Sequence, residues 1–320
     1  MGENKKMNKN GVKVTVLMSV YNSQDYLDDA IKSILTQTYK NFEFLIIDDG
    51  STDDSLKIIN SYKDKRIRVV SRENKGLVYS LNQGLKLAKG EFIARQDSDD
   101  ISLPHRLEKE IVFLENNDNI GMVGSNYTII DTQGKKLVAT NVFTHPNDLK
   151  LAQIACNQFG HGSVMMRKKT VLECGGYDSR VGHVEDYHLW NRISRVADIA
   201  NIEEPLYLYR TNPEGITQQN HELQIQQTFK VRDESFEYFL KHRMQYKLIS
   251  YKPSGLNYKQ RKATLYRDFA YLYRKNDRPV RALLMLILSA LLDPNNKKTY
   301  SAMQYTIYKP RFDRWVYEFL

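Results

Sequence analysis

The stretch FEFLIIDDGSTD, residues 42–53, decides the fold class because an aromatic and β-branched run leads directly into an acidic turn. We predict a strand over Phe42–Ile47 and, after the acidic loop, a helix over Asp53–Tyr62. Ser51 or Thr52 is the expected N-cap of that helix. The stretch is therefore one strand-loop-helix unit.

The same alternation runs through the first half of the chain. The further predicted strands are Val12–Val20, Ile67–Val70, Glu91–Ala94, Gly121–Ile130 and Lys136–Ala139, and the further helices are Tyr26–Thr36, Leu77–Ala88 and one from Pro104 to about Asn116. Alternating strands and helices of these lengths form right-handed crossovers around a mostly parallel sheet. We therefore predict an α/β, Rossmann-like fold with flanking helices, followed by a C-terminal α-helical region.

Two acidic loops follow predicted strands, at Asp48-Asp49 and at Asp97–Asp100. Ligands of such sheets bind beyond the carboxyl ends of the strands, so both loops should face one crevice. Carboxylates crowded there repel one another unless a cation neutralises them. Mg²⁺ and Mn²⁺ take oxygen ligands, often one or two carboxylates plus substrate phosphates. The alternative is that Asp and Ser occur here because they favour turns.

The composition is that of a globular protein: 320 residues, 41% hydrophobic and 27% charged, with two cysteines. It excludes an intrinsically disordered chain and a disulfide scaffold, and the isolated Cys156 and Cys174 imply no structural zinc site. Residues 1–11 are polar and read as a disordered lead rather than a signal peptide, which indicates a cytosolic protein. The apolar run 282–292 is too short to cross a bilayer.

The positive charge is concentrated at the end of the chain. Residues 241–320 hold 17 Lys and Arg against 5 Asp and Glu, a net charge of +12; since the whole chain carries +9, residues 1–240 carry 9 − 12 = −3. We predict a catalytic domain over 12–240 and a basic, tyrosine-rich helical region over 241–320. The linker candidate is Lys252–Gly255, and the predicted helices of this half are Gln218–Leu240, Leu256–Lys275, Arg278–Leu292 and Asn295–Tyr308.

Short motifs follow one another in order between about Val14 and Thr217. They are MSVYN at 18–22, DDGSTD at 48–53, NKGL at 74–77, NQG at 82–84, GEFIARQDSDD at 90–100, HGSVM at 161–165, GGYD at 175–178, EDYHLW at 185–190 and LYLYR at 206–210. Together they resemble the inverting family 2 glycosyltransferases of the GT-A fold, of the bacterial surface-polysaccharide type. Nothing comparable covers the basic region.

The resemblance implies a nucleotide-sugar donor, expected to be a UDP-sugar. Tyr21 and Asp49 would hold the uracil and ribose end, while Asp97 and Asp99 would bind Mn²⁺ or Mg²⁺, with Asp99 the more direct ligand. The metal would offset charge on the leaving diphosphate. The positions matching the family's donor-binding motifs are Ser19, Tyr21, Asn22, Asn74, Asp49, Arg95 and Asp97.

By the same resemblance, Asp186 is the catalytic base of a single displacement, in which it takes the proton of the acceptor hydroxyl. Taken alone, Glu185 and Asp186 are also what the start of a helix favours. His161, Glu185 and Trp190 are candidates for the acceptor site. For His161 and Trp190, a structural role in the core is the alternative.

The basic region, with 10 of the 21 tyrosines, has the composition of a surface that lies on anionic phospholipid. Its apolar stretch 282–292 is either the centre of a small helical domain or an inserted face. Nucleic-acid binding through this region is an alternative without a supporting motif, and a nucleotide-sugar-binding protein without activity is another. Processive synthases of the family carry a Gln-x-x-Arg-Trp element, and the sequence at Arg314-Trp315 lacks its glutamine.

We therefore expect a non-processive hexosyl- or N-acetylhexosaminyltransferase. Its acceptor would be a glycan or lipid-linked oligosaccharide, and it would lie peripherally on the inner face of the plasma membrane. No nucleic-acid partner is expected.

Overall fold

The computed structural model describes residues 11–144, 146–211, 220–242, 256–276 and 279–308. Most of the predicted lead, the linker candidate Lys252–Gly255 and Arg314-Trp315 lie outside these ranges. The chain divides into two compact units. Unit 1 comprises the described residues of 1–150 and 158–231, and unit 2 those of 151–157 and 232–320.

Strands and helices alternate through unit 1. In chain order they are β1 (Val14–Val20), α1 (Leu27–Leu35), β2 (Phe42–Asp48), α2 (Ser55–Ser61), β3 (Ile67–Ser71), α3 (Leu77–Leu87), β4 (Phe92–Gln96), β5 (Ile101–Ser102), α4 (Arg106–Glu115), β6 (Ile120–Ile130), β7 (Lys136–Ala139), α5 (Pro146–Ala155), β8 (Met165–Arg167), α6 (Lys168–Glu173), α7 (Glu185–Val196) and β9 (Asp198–Arg210). Helix α5 ends in unit 2, and α8 (His221–Lys241) contributes residues to both units.

Within the described residues the sheet has nine strands in the order β3-β2-β1-β4-β8-β6-β9-β5, with β7 paired to β6. Strands β3, β2, β1 and β4 are parallel. Strand β8 is antiparallel to both of its neighbours, whereas β6 and β9 are parallel. The predicted α/β class with a mostly parallel sheet is confirmed.

The core lies between this sheet and its flanking helices. Strand β2 is buried along its whole length, which explains why its run Phe44–Ile47 is continuously apolar rather than alternating. Helix α1 buries Leu27, Ala30, Ile31 and Ile34, the stripe that a 3.6-residue period places on one face. Helix α3 packs so closely on β1 that a Cβ at Gly84 would lie 2.2 Å from a methyl carbon of Leu17.

The predicted N-cap of α2 is wrong. The helix begins at Ser55 with Asp54 in the cap position. The Ser51 hydroxyl instead accepts a hydrogen bond from the Asn22 backbone N–H (3.1 Å), and the Thr52 N–H donates to the Asn22 side chain (2.8 Å). Asn22 has a φ of 48°, a conformation that Asn tolerates better than most residues. Both residues thus join the first acidic loop to the loop after β1.

Unit 2 is helical. Its elements after α8 are α9 (Leu256–Lys275), α10 (Pro279–Leu292) and α11 (Lys297–Tyr308), close to the three predicted helices. Phe236 of α8 packs edge-on against Phe269 and Tyr273 of α9. In the described part of the chain, we find no helix with the length and hydropathy that a membrane span requires.

Candidate active site

The ends of β1, β2 and β4 bring the two acidic loops together. Val20 at the end of β1 pairs with Asp48 of β2, and Met18 pairs with Gln96 at the end of β4. The loops that follow these strands therefore start side by side. A hydrogen bond between the Ser23 and Ser98 hydroxyls (2.8 Å) joins the loop after β1 to the second acidic loop.

Asp49 lies buried on the first of these loops. Its backbone N–H donates to the Val20 carbonyl (2.8 Å), and its Oδ1 accepts from the Lys75 backbone N–H (2.8 Å) and from Arg72 Nη1. The Arg72 guanidinium also lies 4.7 Å from the Tyr79 ring centroid. Arg72 was not predicted as a site residue, although it directly follows β3 and so occupies the same kind of strand-end position as the acidic loops.

The other predicted donor residues of this edge lie on the same loops or beside them. Tyr21 is 51% exposed and offers an open ring face next to the β1–β2 end. Asn22 organises the first acidic loop, and the Asn74 side chain accepts from the Gly76 N–H (3.2 Å) just before α3. Ser19 lies half-buried on β1. The edge thus combines an exposed aromatic ring with a fixed buried carboxylate.

Arg95 lies beneath the second acidic loop. Its side chain is only 1% exposed, and its Nη2 donates to Asp97 Oδ1 (2.6 Å). The Asp97 N–H donates to the Tyr207 hydroxyl (3.2 Å), so the residue is held from both β4 and β9. Gly162 also lies against this carboxylate, because a Cβ built on Gly162 would be 2.7 Å from Asp97 Oδ2. In this structure Arg95 therefore acts through Asp97.

Asp99 and Asp100 complete the loop. Asp100 Oδ1 accepts from the Arg210 N–H (2.7 Å), and Arg210 Nε donates to the Asp99 carbonyl (2.8 Å). Burial and the charge of Asp97 raise the pKa of Asp99 to about 6. Burial and the charges of Asp99 and Asp97 raise the pKa of Asp100 well above its usual value. Such crowding favours a bound cation.

The resemblance implies that a divalent cation binds at the second acidic loop. Among the described residues, no three Asp, Glu, His or Cys side chains form a complete metal cage. Mg²⁺ and Mn²⁺ do not need one, because they often bind through one or two carboxylates, substrate phosphates and water. Asp97 and Asp99 supply such a partial set of oxygen ligands, and the buried negative charge around them fits a cation.

The start of α7 carries the predicted base. Asp186 lies half-buried in the first turn of the helix, and its Oδ1 accepts from the Tyr187 N–H (2.6 Å). The neighbouring Glu185 is buried, and burial together with the charge of Asp186 raises the pKa of Glu185 to about 7. Arg95 lowers and Asp97 raises that pKa, so the start of α7 shares its electrostatic environment with the second acidic loop.

His161 and Trp190 belong to an aromatic cluster with Tyr177. His161 Nε2 lies 3.1 Å from the Tyr177 hydroxyl, and its ring contacts Trp190 edge-on at 6.0 Å between centroids. Burial and the nearby Arg95 lower the pKa of His161 to about 3, which keeps the imidazole neutral at physiological pH. Trp190 is 0% exposed, so its ring is closed to a sugar in this conformation and packs the core.

Comparison with known sequences identifies relatives of this chain. The family described as Glycosyl transferase family 2 matches residues 15–173. The putative glycosyltransferase EpsE of Bacillus subtilis is 37% identical over 212 residues, 64% of this chain and 75% of that protein. The O-antigen biosynthesis glycosyltransferase WbnJ of Escherichia coli is 36% identical over 191 residues, 56% of this chain and 71% of that protein.

Solved structures share the fold. S. aureus TarS residues 1–349, crystallised with UDP-GlcNAc, align with a TM-score of 0.59 at 16% identity, over 93% of this chain and 88% of that one. The mannosyltransferase PcManGT of Pyrobaculum calidifontis, in complex with GDP-Man and Mn²⁺, aligns with a TM-score of 0.54 at 17% identity, over 94% and 85%. At these identities the likeness shows the fold alone.

Proposed function

Because the chain belongs to glycosyl transferase family 2, we propose that it moves one sugar from a UDP-sugar to a hydroxyl group of a glycan acceptor, with inversion and with Mn²⁺ or Mg²⁺. The acceptor is a lipid-linked oligosaccharide of surface-polysaccharide biosynthesis. The enzyme adds a single hexosyl or N-acetylhexosaminyl unit and lies peripherally on the inner face of the plasma membrane.

One observation carries the proposal: the acidic loops after β2 and β4 lie at one sheet edge, on either side of the loop after β1, and the start of α7 shares the electrostatic environment of the second acidic loop. Asp49 is fixed at the β1–β2 end, and Asp97 is fixed by Arg95 and Tyr207. Asp186 supplies a carboxylate in the first turn of α7. This grouping of carboxylates in one region of unit 1 supports the proposed donor-binding residues and the proposed base.

In the proposed reaction, Tyr21 stacks on the base of the nucleotide and Asp49 accepts from it. Asp97 and Asp99 hold the metal ion, which when bound offsets negative charge on the diphosphate. Asp186 accepts the proton of the acceptor hydroxyl while that oxygen forms a bond to the anomeric carbon. The bond from this carbon to the diphosphate oxygen breaks, and its electron pair leaves with the nucleoside diphosphate.

Three features support the finer parts of the proposal. TarS was crystallised with UDP and with UDP-GlcNAc, and PcManGT with a nucleotide sugar and Mn²⁺. The name of WbnJ refers to O-antigen biosynthesis, which favours a surface glycan as the product. The excess of basic residues over 241–320 favours a location on an anionic membrane surface.

A panel of nucleotide sugars in a thermal-shift assay tests the proposal, because a ligand that binds the native state raises its apparent stability. We expect a UDP-sugar to raise Tm with Mn²⁺ present and to lose most of this effect in EDTA. A shift with GDP-sugars alone would contradict the assignment of the donor. The matching sugar should then yield free UDP with lipid-linked acceptors; donor binding without turnover would indicate a binding protein instead.

A further inference from the structure

Helix α10 is apolar around nearly its whole circumference. Its sequence, PVRALLMLILSALL, contains Arg281 as its one charged residue. Ala282, Leu286 and Ser289 are buried on one side, where α10 packs with α9 and α11. A helix that buries only one side normally carries polar residues on the other. Here the other side is also apolar.

The exposed side is a continuous stripe, which we call the α10 outer face. Its members lie four, three and four residues apart, a spacing that keeps them on one line along the helix. They are Val280, Leu284, Ile287 and Leu291, whose side chains are 73%, 52%, 43% and 74% exposed, respectively. At 1.5 Å per residue the stripe is about 16 Å long. Contiguous exposed apolar residues of this kind mark an interaction surface.

Charge identifies the partner. The described residues of α9–α11 and their connection, 256–276 and 279–308, hold nine Lys and Arg against two Asp, Asp268 and Asp293. Lys297, Lys298 and Arg281 are exposed, as is Tyr300, an aromatic residue type that prefers membrane interfaces. A second copy of this unit would meet the first with the same positive charge. Anionic phospholipid complements it.

We propose that the α10 outer face inserts into the headgroup–acyl boundary of an anionic phospholipid surface, with the surrounding Lys and Arg on the lipid phosphates. Amphipathic helices that lie in the membrane plane bind by this combination of apolar burial and electrostatic attraction. The inference rests on the membrane placement in the proposed function but not on sugar transfer. Vesicle binding and donor binding are therefore measured separately.

The test is co-sedimentation of the full chain with vesicles of phosphatidylcholine alone or with phosphatidylglycerol. We expect the wild type to bind the anionic vesicles and the double variant L284Q/I287Q to lose at least tenfold in the partition coefficient. The matched control is V112Q/L172Q, which makes two substitutions at exposed helical positions of unit 1 and should bind like the wild type. All three proteins should keep the same Tm and the same shift with UDP.

Two results would overturn the inference. Wild-type binding by L284Q/I287Q would show that the face does not contact lipid. A wild-type dimer in light scattering that this variant dissociates, with vesicle binding unchanged, would assign the face to a second copy of the chain. Loss of the UDP-induced shift in every protein, with vesicle binding as expected, would contradict the proposed donor and leave the membrane face supported.

Discussion

The two units of this chain use their charged and apolar residues in opposite ways. In unit 1, carboxylates are gathered at the strand ends and each is held by a specific partner, as Asp97 is by Arg95 and Asp49 by Arg72. In unit 2, residues 241–320 carry an excess of positive charge, and α10 carries apolar residues outward. The proposals therefore assign sugar transfer to the placement of residues in unit 1 and membrane attachment to the composition of unit 2. Changes in one unit should therefore leave the other's property intact.

The largest expected effect is that of Asp186→Asn. Because a general base contributes about 10²–10⁴-fold, we expect kcat to fall by about that factor while UDP binding and vesicle binding stay unchanged. The measurement is UDP release at saturating donor. The control is Glu185→Gln, the adjacent carboxyl on the same turn, which should lose less than about tenfold. If kcat fell by this factor in Glu185→Gln and stayed normal in Asp186→Asn, Glu185 would be the base instead.

Next in size is Asp99→Asn, which removes one of the two proposed metal ligands. We expect donor affinity in Mn²⁺ to fall about 10²-fold, to the level of the wild type in EDTA, because carboxylate is the stronger ligand for a hard cation. Calorimetric titration with UDP measures this effect. Asp54→Asn, an exposed carboxylate on the neighbouring loop, should bind as the wild type does. Undiminished wild-type binding in EDTA would contradict the metal assignment.

Arg95→Lys tests whether the buried guanidinium positions Asp97. Lysine keeps the charge but not the planar fork that reaches Asp97 Oδ1 and the Gln96 carbonyl together. We expect kcat to fall about tenfold and the Mn²⁺ concentration for half-activity to rise, with KM for the donor changed less. Arg68→Lys, which alters the pair with Glu43, is the matched control. A rise in KM alone would instead assign Arg95 to donor contact.

The strands and helices that the sequence predicted are those that carry a local pattern of their own. Helix α1 and strands β1 to β4 are found within a few residues of their predicted bounds, because their periods of 3.6 and continuous apolar runs are local signals. Strand β8 was not predicted. It has only three residues and exists because β4 and β6 pair with it on either side. Such distant pairing leaves no local pattern.

The same limit applies to the site. Residue type and position after a strand singled out Asp49, Asp97 and Asp99, and the resemblance added Arg95, but the other groups that hold these carboxylates were not predicted. Arg72, Tyr207 and Arg210 come from distant parts of the chain, and only the folded sheet brings them to the acidic loops. The predicted cap at Ser51 or Thr52 was wrong for a related reason, because Asn22, thirty or so residues earlier, takes both groups.

Hydrogen–deuterium exchange of the full chain with UDP and Mn²⁺ tests most directly the claim that the strand-end loops of unit 1 bind the donor. We expect slower exchange at residues 21–24, 49–54 and 97–100 and no change over α9–α11. Slower exchange confined to α9–α11, or none at the three loops under conditions where UDP binds, would contradict the account.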